Sequence, residues 1–239
     1  MAITPARHVT SGFYRVHLLV VMGLSTLSAL VALARPDSIP LWPAVTAAVL
    51  SYVGSVAWLY EKTKSGVFIL FMVAGVGLIG GWRTIGPGSD SAELSEIAGL
   101  LLGLTTPLSG LLLGFAIAAM LLGHWYLNTP TMDLLPLRRL VLLMAVATLA
   151  RAALCGTGLT LQLVTTGPPE AMGQLFLPLL ALRWLAGLLG VLVLAWMAWQ
   201  TLKIPNTQSA TGILYVAVIG TFVGELAGHL LSVESAYPL

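Results

Sequence analysis

Seven long stretches of this chain run almost free of charge, and their spacing decides what it can fold into. A helix needs about 20 mostly apolar residues to cross a hydrocarbon core of about 30 Å. Stretches of that kind fall at 13–34, 41–60, 66–82, 96–127, 138–163, 175–201 and 209–232. The third is the shortest. The fourth is the longest and holds Pro107, which would kink a helix or set off a short entry segment. Cutting it at Thr105-Thr106-Pro107 would leave a first piece too short to span, so the count is seven. The expected fold is an all-α polytopic membrane bundle.

Composition supports the same reading. Only 8% of the 239 residues are charged and 58% are hydrophobic, whereas soluble domains carry about 25% charged residues. So few charges cannot cover a water-facing surface, and lipid must cover much of it. The length suits one membrane domain over 1–239 with no separate soluble one. A net charge of +2, with no run of Lys or Arg, excludes a nucleic-acid footprint. The single cysteine, Cys155, excludes an internal disulfide and a CxxC metal or redox site. The basic N-terminus followed by apolar residues imitates a signal peptide, as does Ala32-Leu33-Ala34. The stretch from Phe13 to Leu33 is nonetheless longer than a usual signal core, so a retained first span is expected.

Orientation follows from Lys and Arg, which favour cytoplasmic segments. With the N-terminus inside, the cytoplasmic side holds Arg7, Arg15, Lys62, Lys64, Arg138, Arg139 and Lys203, and the outer side only Arg35 and Arg83. This fits a multi-pass protein of a bacterial inner (cytoplasmic) membrane. Tyr14, Trp58, Tyr60, Trp125, Tyr126, Trp196 and Trp199 fall near the expected inner boundary, and Trp42, Trp82 and Tyr237 near the outer one. That is the aromatic belt of rings at headgroup level. The loops carry turn residues, as in Arg35-Pro36-Asp37, Asn128-Thr129-Pro130 and Gly167-Pro168-Pro169. The acidic outer loop 83–95 reads as a solvated connection or part of a docking surface. Gly110/Gly114 and Gly224/Gly228 have the GxxxG spacing of close helix contacts.

Ionisable residues inside a membrane are costly and are therefore the functional candidates. They are Arg151, Arg183, Glu225 and His229. At 1.5 Å per residue, Arg151 and Glu225 lie roughly 20 Å from the inner boundary. Arg183 lies roughly 10 Å below the outer one, so the three depths coincide in the outer half. His229 is one turn beyond Glu225, and Cys155 one turn beyond Arg151, with Gln162 and Trp184 bordering the zone. Two readings stand. The charges form a lock that orders the bundle, or they line a pocket with one surplus positive charge. Such a pocket would suit a carboxylate, a phosphate, a haem propionate or a quinone carbonyl, because Arg offers fixed donors to planar acceptors. Glu225 or His229 would then exchange protons with the outer side.

His17 on span one and His124 on span four share a similar depth near the inner face. Two imidazoles on separate helices are what axial ligation of haem b requires. The other reading is a pair of hydrated interfacial histidines, with His8 exposed in the tail. Cys155 with His229 would be a nucleophile pair only if the spans met, and a lone cysteine otherwise packs. No GxGxxG after a strand, P-loop, HExxH or Ser/His/Asp arrangement is present, so enzymatic chemistry stays open. The last span has no lysine, which argues against a retinal-binding protein.

Ala181-Leu182-Arg183-Trp184 in span six and Gly224-Glu225-Leu226-Ala227-Gly228-His229 in span seven carry a resemblance. These two spans resemble the C-terminal spans of the NrfD-like membrane anchors of dimethyl sulfoxide and polysulfide reductases. There an Arg-bearing span precedes a Gly-Glu-Leu-x-Gly-Arg stretch. The resemblance implies an anchor without haem that exchanges electrons and protons between quinol and an attached iron–sulfur subunit. Arg183 and Glu225 are the matching positions. His229 stands where that class has arginine, and this chain is shorter by a span or more.

The expectation is thus a membrane subunit of a respiratory electron-transfer assembly that binds a quinone or haem and works with partner subunits. The alternatives are a small carrier for an anionic solute, for which Pro107 and the glycine-rich third span would serve as helix interruptions, and a structural or assembly protein.

Overall fold

The computed structural model of the chain describes residues 9–35, 39–84, 96–129, 132–204, 206–233, 235 and 237–239. Most of the loop 83–95, His8, Pro36-Asp37 and Pro130 lie outside the described residues. The described elements are all helical: α1 (Ser11–Ala34), α2 (Leu41–Leu59), α3 (Thr63–Thr84), α4 (Glu96–Asn128), α5 (Leu135–Thr165), α6 (Phe176–Ala181), α7 (Val191–Lys203) and α8 (Thr207–Val233). A short 3-10 turn, Glu170–Leu175, leads into α6, and a π-helical stretch, Leu182–Gly190, joins α6 to α7. Among the described residues, seven helical runs are long and apolar enough to cross a membrane, the sixth being Gly173–Lys203 with its π stretch inside it. This is an all-α polytopic membrane protein.

The surfaces of these helices suit lipid. α1 exposes Leu24, Leu27 and Leu30, α5 exposes Leu142, Val146 and Leu149, and α8 exposes Val216, Ile219, Phe222 and Leu226. Apolar surface this extensive would be an aggregation hazard in water and costs nothing against hydrocarbon tails. Pro107 sits inside α4, which continues through it for 33 residues. It neither ends the helix nor divides it, because the turns on either side keep their own hydrogen bonds.

The helices group into two compact units, Met1–Ser91 and Ala92–Leu239. In the first unit α1 packs on α2 and α2 on α3. Its core is aromatic. Tyr14 stacks on Trp58 with ring centroids 4.1 Å apart, and Phe13 meets Tyr14 edge-on. Gly66 leaves the room that the Trp58 indole fills, since a Cβ there would lie 2.6 Å from the ring. Tyr14 and Trp58 are therefore core residues, and so is Tyr126 in the second unit, all at most 1% exposed. Their rings therefore pack against neighbouring helices and are not presented outward. Tyr60 and Trp196, at 70% and 62% exposed, do present their rings outward.

In the second unit α4 packs on α5 and α8, α7 packs on α5 and α8, and the π stretch lies against α8. α5 buries Met144, Thr148, Arg151, Cys155, Gly158 and Gln162 in one stripe, alternating steps of four and three residues. Arg138 donates to the Leu202 carbonyl at 2.7 Å, which satisfies an orphan acceptor at the end of α7.

Glycines set the closest approach. A Cβ built on Gly187 of the π stretch would collide with the Gly224 backbone, and one on Gly224 with Gly187. Gly220 faces the Ala186 carbonyl and Gly228 faces the Arg183 guanidinium, so α8 presents glycine every fourth residue to the π stretch. Lipid supplies no hydrophobic drive between helices, and such backbone proximity is how membrane helices gain dispersion contact. By contrast, Gly110 and Gly114 have nothing among the described residues within 4 Å of an added Cβ, so their GxxxG spacing marks no contact within the second unit. Gly224→Ala should destabilise the protein by about 1–3 kcal/mol through overpacking. Gly110→Ala should leave it unchanged or slightly more stable, as Ala is the better helix former. Detergent-induced unfolding of the purified protein, followed by circular dichroism, checks the pair.

Candidate functional site

α4, α5, the π stretch and α8 each deliver one polar side chain to a common point inside the second unit. Glu225 of α8 is the centre. Arg151 of α5 approaches it side-on, Nε donating to Oε1 at 3.3 Å and Nη2 to Oε2 at 3.1 Å. Arg183 of the π stretch donates from Nη1 to Oε1 at 2.9 Å. Ser109 of α4 donates to Oε2 at 2.6 Å. A carboxylate offers about four lone-pair sites, and these four donors fill them. Arg183 also donates from Nη2 to Cys155 Sγ at 3.2 Å.

Arg183 stands at the start of the π stretch, where bonds run to the fifth residue instead of the fourth. One turn further on, Gly187 touches Gly224, the neighbour of Glu225 in sequence. The same backbone contact that brings the helices together therefore sets Arg183 opposite the carboxylate. Burial is nearly complete: the side chains of Arg183, Arg151 and Glu225 are 0%, 4% and 5% exposed.

Two guanidinium groups face one carboxylate, so the network carries one surplus positive charge. Its donors are also in surplus. With Glu225 full, Arg151 Nη1 and Arg183 Nε are buried and have no hydrogen-bond partner among the described residues, and neither has Trp184 Nε1. Buried N–H groups without acceptors are rare and costly, which marks them as places for a further acceptor.

The structure thus brings together Arg151, Arg183 and Glu225, and leaves out His229, which is exposed. The helix turns about 100° per residue, so His229 lies about 40° around α8 from Glu225. Glu225 already sits at the edge of the face that buries Thr221, Gly224, Gly228 and Leu231, and a further step leaves that face. Cys155 consequently meets Arg183 and forms no pair with His229. Gln162 turns instead to the end of α5, donating to Thr166 Oγ1 at 2.7 Å and the Gly167 carbonyl at 3.2 Å. His17 belongs to the first unit, buried, its Nδ1 hydrogen-bonded to the Phe13 carbonyl four residues back. His124 belongs to the second unit, exposed, its Nδ1 3.4 Å from the Tyr215 hydroxyl. Their pairing as haem ligands rests on sequence alone. No group of three or more His, Cys, Asp or Glu placed to hold a metal ion occurs among the described residues.

Ser109 escaped the sequence reading. A single serine in an apolar span is commonplace, and only its place one residue past Pro107-Leu108, roughly midway along α4, sets it at the depth of Glu225.

Fold and site together define a polytopic all-α membrane protein with an internal arginine–glutamate–arginine network. No protein-family model matches the chain, and no curated protein or solved structure does.

Glu225→Gln should cost roughly 3–5 kcal/mol, because it leaves two buried guanidinium groups without a counter-charge. Ser109→Ala should cost about 1 kcal/mol, the worth of one hydrogen bond. His229→Ala should be neutral. Thermal unfolding of the three variants in detergent tests this order.

Proposed function

We propose that the chain is the membrane-embedded subunit of an electron-transfer assembly and that its network receives the head of a lipid-soluble carrier, a quinone. The observation that carries this reading is the pair of buried donors without acceptors, Arg151 Nη1 and Arg183 Nε. A quinone carbonyl is the acceptor that such fixed guanidinium donors suit. It also gathers negative charge on reduction, where the surplus positive charge of the network would stabilise it. A groove of about 490 Å³, lined by Leu159, Leu177, Leu180, Ala181, Trp184 and Leu185, supports entry from the lipid side. It is apolar, as a prenyl chain requires, and the Trp184 indole borders it.

The Lys and Arg distribution supports a cytoplasmic N-terminus and a network in the outer half of the membrane, which suits a bacterial inner membrane. The likeness of Arg183 and Glu225 to NrfD-like anchors favours partner subunits that carry the redox centres. A carrier of carboxylate anions is the second reading, favoured by the surplus charge.

Removal of one charge alone confounds binding with folding, so the deciding variant replaces all three. Arg151→Met, Arg183→Met and Glu225→Leu together should leave the fold intact, since buried ion groups can be exchanged for apolar ones of similar volume. Quinone binding by the purified protein, followed through tryptophan quenching, should then vanish. Unchanged quenching in a folded triple variant would remove the site from this network. Uptake of a labelled dicarboxylate by proteoliposomes of the wild type, without quinone binding, would instead establish the carrier.

A further inference from the structure

The charged side chains of the network are at most 5% exposed, and Ser235 and Tyr237–Leu239 lie at one end of the second unit. Where α5 and α8 finish and α6 begins, Tyr237–Leu239 lie against the helices. The Ser235 hydroxyl lies 2.9 Å from the Leu231 carbonyl and 2.8 Å from that of Tyr237, which holds the turn. Leu239 is fully buried with Phe176 and Leu231, and Leu159, Leu179 and Leu180 surround the three.

Two glycines receive this segment. The Pro238 carbonyl occupies the place that a side chain at Gly158 would take. Gly228 has both the Leu239 carbonyl and the Arg183 guanidinium on its open side, 3.3 Å and 3.2 Å from where a Cβ would stand. Gly158 lies three residues past Cys155, on the same buried stripe of α5. The segment therefore lies beside Arg183, since the Leu239 carbonyl and Arg183 Nε, which has no partner among the described residues, both face Gly228, and it rests one turn of α5 beyond Cys155.

We propose that Tyr237–Leu239 is a removable plug on the aqueous approach to the network. Docked, it keeps water and ions from Arg183 and Cys155. Released, it opens them. Its anchors are the buried Pro238 and Leu239 and one serine-held turn, and Tyr237–Leu239 belong to no helix, so they can leave without unwinding α5 or α8. A short non-helical segment can open locally without global unfolding. The plug does not depend on which ligand the network takes, and its test involves no ligand.

Cys155, the one cysteine of the chain, is a built-in reporter beneath the plug. The full chain in liposomes is treated with an anionic, membrane-impermeant methanethiosulfonate, and labelling of Cys155 is timed by mass spectrometry. Cys155→Ala serves as the blank. Two variants release the plug by different means: Leu239→Asp removes the anchor, and Gly158→Ala puts a methyl where the Pro238 carbonyl rests. Each should label faster than wild type by on the order of tenfold or more, the factor expected when one buried leucine no longer holds the docked state. Monodisperse elution and unchanged helical dichroism establish that a variant is folded. Wild-type labelling rates in both folded variants would overturn the plug, and so would immediate labelling of the wild type.

Discussion

One carboxylate holds four helical segments in register. Glu225 accepts from Ser109 on α4, Arg151 on α5 and Arg183 on the π stretch, while it is itself part of α8. In a bilayer each of these groups would be expensive alone, because neither lipid nor a dry helix interface can solvate it. Together they satisfy one another, so the cost of any misplacement is the cost of a bare charge. Helix faces that are otherwise interchangeable strips of Leu, Val and Ala thereby acquire a unique alignment. The rest of the second unit depends on this, since sliding α8 by one turn would pair Glu225 with nothing.

The carboxylate can act this way only because the backbones come close enough. Gly220, Gly224 and Gly228 give α8 a bare ridge, and Gly187 meets it from the π stretch. The widened π turn starts next to Arg183, so the bulge and the charge occupy one place in the fold. A regular helix would rotate the residues after it by a different amount and separate the glycine contact from the arginine. The bulge therefore reads as a means of presenting both on one face.

Much of this was legible in the sequence, and what was missed has a physical cause. The spans could be read because about 20 apolar residues are a requirement of the bilayer itself. The meeting of Arg151, Arg183 and Glu225 could be read because rise per residue converts position to depth, and depth is shared across a membrane. Depth says nothing about angle, however. His229 has the right depth and lies about 40° too far around α8. Gly110 and Gly114 have the right spacing on a face that meets no neighbour within the second unit, whereas Gly187 has no GxxxG partner in its own helix and meets one across the interface. Tyr14, Trp58 and Tyr126 sit where belts form, and their burial depended on which helices pair. Azimuth and pairing are tertiary properties, and they decided every one of these differences.

A network serving only as a lock would be balanced. One arginine beside Glu225 would cancel the charge, and Ser109 would complete the carboxylate. The second arginine adds a charge with no counterpart and donors with no acceptor, and α5 and the π stretch each supply one such donor. These donors could be silenced by a second acid or by replacing one arginine with an apolar side chain, and neither is present. The excess is instead kept buried, with Trp184, the neighbour of Arg183 in sequence, lining an apolar groove and the Leu239 carbonyl meeting Arg183 at Gly228. A permanent structural pair would need no cover that can be displaced without unwinding a helix. On the proposed reading, surplus donors, a lipid-side groove and a detachable cover are together the parts of a site that is filled and emptied.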